Sequence, residues 1–308
     1  VKQLIAVVGP TASGKTALAI ELAERLGTEV ISADSMQFYR GMEIGTGAPT
    51  AEELARVKHH FVGHLDPGEE FSAGAFERLG RERLAELNAR GKTAVVAGGS
   101  GLYISALIDG LFPGPGKDAA IRARLHQEAQ EHGVPALYAR LCDVDPDYAD
   151  IIQNNDLRRI VRALEVHELT GEPLSRLHRD HRGQTESLEA VQVALDRPRE
   201  ELYRRIDRRV DYMLERGLLD EVQALLDNGY AEHIERLRSL GYREMAAHLR
   251  GEYLLDEATE LMKRNTRRYA KRQLTWFRAD PRIRWLPIND RTPGRLADYI
   301  LAECCAEK

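Results

Sequence analysis

The 308 residues hold no run long and apolar enough to cross a membrane. The apolar stretch near the N-terminus has neither a basic leader before it nor a cleavage-like region after it, so no export signal is expected. Cysteine is scarce. Cys142, Cys304 and Cys305 make no C-x-x-C pair and no even framework, which argues against a disulfide-stapled domain and for a reduced, cytoplasmic setting. Internal repeats and low-complexity tracts are absent. His60 and His64 stand four residues apart, but no third ligand is near and Pro67-Gly68 argues for a loop rather than a metal site. Positive charge is also short overall: the net charge of −5 supplies no global attraction for nucleic acid. Binding depends on local patches, however, and here the cations are clustered. Arg204-Arg205 and Arg208-Arg209 form one group; Lys263-Arg264, Arg267-Arg268 and Lys271-Arg272, extended by Arg278, form a second.

What is present is organised around one stretch. Gly9-Pro10-Thr11-Ala12-Ser13-Gly14-Lys15-Thr16 fits G-x-x-x-x-G-K-[ST]. The preceding Leu4-Ile5-Ala6-Val7-Val8 has the length and branching of a buried parallel strand. Beyond the loop, Leu18, Leu22 and Leu26 give a helix one apolar face until Gly27 stops it. In that context the loop's N–H groups and the helix N-terminus converge on phosphate oxygens. Lys15 adds a mobile cation, and the Thr16 hydroxyl is placed to hold a metal ion bridging the phosphates. The loop alone leaves open whether its ligand is a nucleotide such as ATP or another pyrophosphate.

A second strand over residues 28–34 ends in Asp34, which should face the phosphate loop, because strand carboxyl ends line the ligand crevice of doubly wound sheets. A turn or N-cap aspartate is the competing reading. The polar, Gly-rich residues 35–47 suit a loop that shapes a site. Helices are expected over 51–57 and from Ser72 to Asn88, with Ser72 as a cap. Thr93–Ala97 reads as a third strand, and Gly98-Gly99-Ser100-Gly101 as a second glycine turn. After Pro113-Gly114-Pro115-Gly116 the pattern is helical to about Leu177, and strand character returns only at Ala190–Leu195. The domain reading is therefore a core of residues 1–114 and 189–308, with residues 115–188 as an inserted helical domain. In the insertion Arg158, Arg159 and Arg162 crowd one helix side, where pairing with Glu165 and Glu168 accounts for them without a partner. Tyr203, Ile206, Val210 and Met213 form the buried stripe of a later helix, with its arginines opposite. A long helix over 259–277 ends in cations and aromatics, a surface that both attracts phosphate and stacks bases. Residues 282–286 form an edge strand.

Five segments in order along nearly the whole chain carry a family resemblance. They are residues 9–16, Asp34-Ser35-Met36-Gln37 with residues 39–46, Gly98-Gly99-Ser100-Gly101-Leu102-Tyr103, Leu240-Gly241-Tyr242-Arg243-Glu244-Met245 and Lys271-Arg272-Gln273-Leu274-Thr275-Trp276. Together they resemble the bacterial tRNA dimethylallyltransferases, also called tRNA isopentenyltransferases or IPP transferases. Ser100 departs from the usual threonine but keeps a hydroxyl. The resemblance implies an α/β fold: a P-loop NTPase-like parallel sheet flanked by helices, with the helical insertion binding tRNA. It implies transfer of a dimethylallyl group from dimethylallyl diphosphate to N6 of adenine 37 in tRNA. Gly9, Pro10, Thr11, Ala12, Ser13, Gly14, Lys15 and Thr16 would hold the diphosphate, with Mg²⁺ as cofactor at Thr16. Asp34 would be the general base, assisted by Lys15, Thr16 and Arg122. The tRNA positions implied are Asp34, Ser35, Met36, Gln37, Ser100 and Arg122; Arg158, Arg159, Ile160, Val161 and Arg162; Arg238, Gly241, Tyr242 and Arg243; and Lys271, Arg272, Gln273, Trp276 and Arg278. The protein is expected to act as a monomer, without a membrane.

The chemistry suits these residue types. An exocyclic adenine amine is a poor nucleophile, and a carboxylate that takes its proton as the C–N bond forms raises the rate by about 10²–10⁴-fold. The adenine must leave its stack to be reached. A small-molecule kinase would also set a strand-end aspartate against a P-loop. The basic, aromatic end of the long helix argues against it. A nucleotide-dependent RNA-binding switch would need a base-recognition motif, and none is found.

Overall fold

The computed structural model describes residues 4–181, 187–288 and 291–304; Cys305 lies outside them. The chain divides into two compact units, residues 1–108 with 188–308 and residues 109–187. The sequence reading sets these boundaries at 114/115 and 188/189.

The larger unit begins with β1 (Leu4–Val8), α1 (Lys15–Leu26), β2 (Val30–Ser32), α2 (Glu43–Thr46), α3 (Ala51–Arg56), β3 (His59–His60), α4 (Ala73–Ala89), β4 (Ala94–Gly98) and α5 (Gly101–Asp109). The smaller unit carries α6 (Ala119–His132), α7 (Val134–Val144), α8 (Pro146–Ala149), α9 (Leu157–Thr170) and α10 (Leu174–His181). The larger unit resumes with β5 (Ala190–Asp196), α11 (Arg199–Glu215), α12 (Leu218–Asp227), α13 (Ala231–Leu237), α14 (Tyr242–Leu249), α15 (Leu255–Arg278), β6 (Arg284–Pro287) and α16 (Pro293–Tyr299).

All six strands are parallel, in the order β3-β2-β4-β1-β5-β6. β1 is central, and alternate residues feed two cores. Leu4, Ala6 and Val8 join one apolar cluster with Phe76, Leu107, Val210 and Met262. Ile5 and Val7 join the other with Leu18, Leu22, Leu296 and Ile300. Both faces of the sheet are thus covered by helices, which is why these strands read as unbroken apolar runs. Leu22 is fully buried, so truncation to alanine would cost about 2–5 kcal/mol. Among the described residues no helix is long and apolar enough to cross a membrane.

Several local expectations shift. β2 is shorter than predicted, so Asp34 stands two residues beyond its end. His59 and His60, expected in a loop, form the edge strand beside β2. His60 Nε2 lies 2.5 Å from Glu29, while His64 packs edge-on against Phe38, Phe61 and Phe71. Phe38, fully buried, also meets Phe76 and Tyr103. This aromatic cluster anchors the loop that follows Asp34.

The smaller unit has its own core, built from Leu125, Leu137, Leu141, Ile160, Leu164 and neighbours. Asp145 Oδ1 accepts from Tyr148 N and Oδ2 from Ser175 N, tying the starts of α8 and α10 together. Glu165 is completely buried. It accepts from both Arg122 Nε and Nη2 at 2.7 and 2.8 Å, from Arg162 at 2.8 Å and from Asp118 N at 2.8 Å. Burial pushes its pKa up, but these donors overcome that and hold it near 2.

Candidate active site

Local backbone conformation explains the phosphate loop. Gly14 caps α1 in the left-handed region, at φ 104°, where a side chain is strained. Ala12 sits at φ 61° without being glycine, a conformation that costs roughly 1–2 kcal/mol. Three side chains from distant elements hold the loop. Arg205 Nε, on α11, donates to Ala12 O at 2.8 Å. Arg197 Nε donates to Ser13 O at 2.8 Å. Gln273 Oε1, on α15, accepts from Thr11 N at 2.9 Å. The arginines occupy carbonyls and take none of the loop's N–H groups, of which that of Ser13 donates to Pro10 O at 3.4 Å. Ser13 Oγ is buried in the same loop with no hydrogen-bond partner among the described residues. An orphaned buried hydroxyl of this kind fits an oxygen-rich anion in the loop.

Beside the loop lies a cavity lined by Thr11, Lys15, Thr16, Asp34, Gln37 and Arg209 among others. The loop and the strand-end carboxylate therefore share one space. Met36 N donates to Asp34 Oδ1 at 3.2 Å, and the neighbouring turn is fixed by Ser35 N donating to Ser100 Oγ at 3.0 Å. Burial raises the Asp34 pKa, opposed by the Met36 N–H, Lys15 and Arg209. Lys15 is lowered to about 8 by burial; the Asp34 charge opposes this and Arg209 adds to it. Lys15 Nζ meanwhile donates to Pro10 O at 2.6 Å.

Arg209 is the cation that the sequence reading misplaced. Helix periodicity places the arginines of α11 opposite the stripe of Tyr203, Ile206, Val210 and Met213. Arg204 and Arg208 are exposed, as that reading requires. Arg205 and Arg209 instead turn inward, one to the loop and one to the cavity. Arg209 Nη2 donates to Thr46 O and Gly47 O, both at 3.2 Å. It thereby fixes the far wall of the cavity and faces a fork-shaped cation toward Asp34 and Lys15. Such a half-buried guanidinium keeps its charge despite desolvation. Tyr269, with Asp34 nearby, is pushed well above the ordinary phenol range by burial first and by that charge second, so it stays protonated.

The IPP transferase family profile matches residues 37–280, most of the chain. The tRNA dimethylallyltransferase of Geobacter sulfurreducens is 48% identical over 284 residues, 92% of this chain and 91% of that protein. Among solved structures, the full-length tRNA isopentenylpyrophosphate transferase of Bacillus halodurans has a TM-score of 0.70 at 40% identity, covering 97% of this chain and 95% of its own. A eukaryotic dimethylallyltransferase captured acting on tRNA has a TM-score of 0.80 at 29% identity, covering 99% and 77%.

The chain belongs to the IPP transferase family.

In this IPP transferase the predicted site residues fall into three groups. Thr11, Lys15, Thr16, Asp34 and Gln37 share the cavity. A second set is at least partly exposed: Ser35, Met36, Ser100, Arg158, Arg159, Arg238, Arg243, Lys271, Arg272, Trp276 and Arg278. Of these, Arg159 pairs with Asp156, Arg243 with Glu235 and Arg278 with Asp196. Part of the pairing reading for the insertion therefore holds too: Arg162 engages Glu165, while Glu168 takes Arg124 and Arg140 instead. Arg122 is held by Glu165 within the smaller unit.

The third group lies inside the protein. Ile160, Val161, Tyr242 and Gln273 are buried, so their side chains offer RNA no surface. Tyr242 donates from its hydroxyl to Glu221 Oε1 at 2.6 Å, and Glu221 accepts from Ile44 N and Gly45 N. Through Glu221 it thus holds the backbone N–H groups at the start of α2. Gly241 contributes backbone alone, its N–H donating to Glu244 at 2.8 Å.

Proposed function

We propose that this protein transfers the dimethylallyl group of dimethylallyl diphosphate to N6 of adenine 37 in tRNA. The observation that carries the reading is the shared cavity: a phosphate loop with Lys15 and Arg209 meets the Asp34 carboxylate across one space. A carboxylate among cations could also serve a kinase. The family membership and the relatives' names favour the prenyl acceptor.

In the proposed reaction the bond between N6 and C1 of the donor forms as the C1–O bond to the diphosphate breaks. The amine proton passes to Asp34, whose raised pKa makes it a stronger base than an ordinary surface aspartate. The electron pair of the broken bond leaves with the diphosphate. Its growing charge is met by Lys15, Arg209 and the loop N–H groups, a pre-organised electrostatic stabilisation. Tyr269, kept protonated, leaves Asp34 as the proton acceptor of the pair.

Mg²⁺ fits the site in a limited way. Among the described residues no group of three His, Cys, Asp or Glu could cage a metal. Thr16 lines the cavity and supplies one hydroxyl, which suits an ion held mainly by diphosphate oxygens and water. When bound with the donor, Mg²⁺ would neutralise part of the diphosphate charge.

The tRNA would meet the exposed cations of α15, Lys271, Arg272 and Arg278, with Trp276 as a stacking surface. Arg122, Arg158, Arg159 and Arg162 of the inserted unit would add phosphate contacts. The target adenine would be extruded toward Asp34. We further propose that the enzyme works as a cytoplasmic monomer. Label transfer from dimethylallyl diphosphate to an anticodon stem-loop tests the reading; ATP-dependent phosphorylation of a metabolite in its place would overturn it.

A further inference from the structure

Gln273 sits in the same turn of α15 as Lys271 and Arg272, and the family resemblance counts it among the tRNA contacts. Its surroundings say otherwise. The residue is only 5% exposed, whereas Lys271 and Arg272 beside it face solvent. Both ends of its amide are used inside the protein. Oε1 accepts from Thr11 N in the phosphate loop at 2.9 Å, and Nε2 donates to Gly99 O in the second glycine turn at 2.9 Å. The fit is close: a Cβ at Gly99 would stand 2.3 Å from Gln273 Nε2. One amide thus bridges the loops that follow β1 and β4, neighbouring strands of the sheet.

The bridge has a chemical consequence. A phosphate loop binds anions with backbone N–H groups, and each must point at the ligand or be satisfied elsewhere. Gln273 takes the Thr11 N–H out of that set and pins the loop's first half, while Arg205 and Arg197 pin the carbonyls of Ala12 and Ser13. The loop then has little conformational freedom left to lose when a ligand binds, which favours affinity.

We infer that Gln273 is a positioning residue for the diphosphate loop and not a tRNA contact. The inference rests on the proposed prenyl transfer for its donor but not for its binding arm, which uses inorganic pyrophosphate alone. Replacement by methionine (Gln273→Met) keeps the length and removes both hydrogen bonds. Replacement by glutamate (Gln273→Glu) keeps the acceptor for Thr11 N–H, loses the donor to Gly99 O and adds a negative charge beside the loop.

The experiment measures three quantities for wild type and both variants: pyrophosphate Kd by calorimetry, anticodon stem-loop Kd by filter binding, and donor KM and kcat in label transfer. Expected is a pyrophosphate Kd raised about tenfold in Gln273→Met, about 1.4 kcal/mol, and further in Gln273→Glu. Donor KM should follow it, with stem-loop Kd within about twofold of wild type. A stem-loop Kd raised in both variants at unchanged pyrophosphate Kd would overturn the inference and return Gln273 to the RNA. Unchanged KM with a lower kcat and melting temperature would also overturn it, as the mark of a merely structural residue. Should Gln273→Met fail to fold, the ranking of Gln273→Glu against wild type decides the matter on the same readouts. Wild type that binds pyrophosphate but transfers no label would defeat the proposed function and leave this inference standing on its binding arm.

Discussion

Replacing Asp34 by asparagine separates the two jobs of the cavity. The asparagine Oδ1 can still accept from Met36 N, so the turn after β2 keeps its hydrogen bond. What disappears is the proton acceptor, and kcat should fall by about 10²–10⁴-fold, roughly 3–5.5 kcal/mol of transition-state stabilisation. Donor binding should move the other way. Asp34 is the anion that lines the cavity with Lys15 and Arg209, and its charge repels a diphosphate. Neutralising it should tighten pyrophosphate binding by up to about tenfold, on the order of 1.4 kcal/mol. The Lys15 pKa, now near 8 with Asp34 supporting its charge, will fall further in the variant, so the comparison belongs at about pH 7 or below. Single-turnover label transfer gives the chemical step, and calorimetry with pyrophosphate gives the affinity. A kcat within threefold of wild type would refute the general-base role. Weaker pyrophosphate binding would show instead that Asp34 holds the diphosphate, through a metal.

Other expectations follow from the same charges. The pH profile of kcat/KM for the donor should rise through a pKa above the ordinary aspartate value of 3.8 and fall above about 8, as free-enzyme Lys15 loses its proton; Lys15→Arg should move the alkaline limb beyond ~10. Lys271→Ala with Arg272→Ala should weaken stem-loop binding and flatten its salt dependence by about 0.7–0.9 per lost phosphate contact, and an unchanged slope would make those residues an ordinary solvated face. Glu165 has a depressed pKa, so its contribution is present above the unfolded value of 4.5 and is lost as pH falls toward about 2. Thermal melts of Glu165→Gln should show reduced stability at neutral pH, by no more than about 3 kcal/mol, and a smaller loss than wild type across that acid window.

The phosphate loop was legible because its chemistry is local: glycines at fixed spacing between an apolar strand and an amphipathic helix. Asp34 was legible because the chain leaving a strand's carboxyl end in a doubly wound sheet enters the ligand crevice, although β2 itself stops two residues earlier. The sheet's inner strands, apolar on both faces, read correctly; β3 did not, because a two-residue edge strand carrying two histidines has too little pattern to detect. Arg209 was hidden among five arginines on α11. Helix periodicity gives the face of a residue, but a long arginine beside the buried stripe can reach inward or outward, and only packing decides. The burial of Gln273 and Tyr242 was hidden in the opposite sense. Gln273 lies among exposed neighbours and Tyr242 beside the exposed Arg243, and their burial involves contacts to residues 99 and 45, far away in the chain. A signal for Gln273 was present in its neutrality within a cationic stretch, though neutrality alone does not separate an inward amide from an outward one.

The most direct test of the account is a label-transfer assay with purified protein, Mg²⁺, labelled dimethylallyl diphosphate and an anticodon stem-loop, with adenine 37 either present or replaced by guanine. The account predicts label in the adenine substrate alone, abolished by excess unlabelled donor and not by ATP. Label in both substrates would contradict the assigned target, and no label together with metabolite-stimulated ATP hydrolysis would contradict prenyl transfer itself.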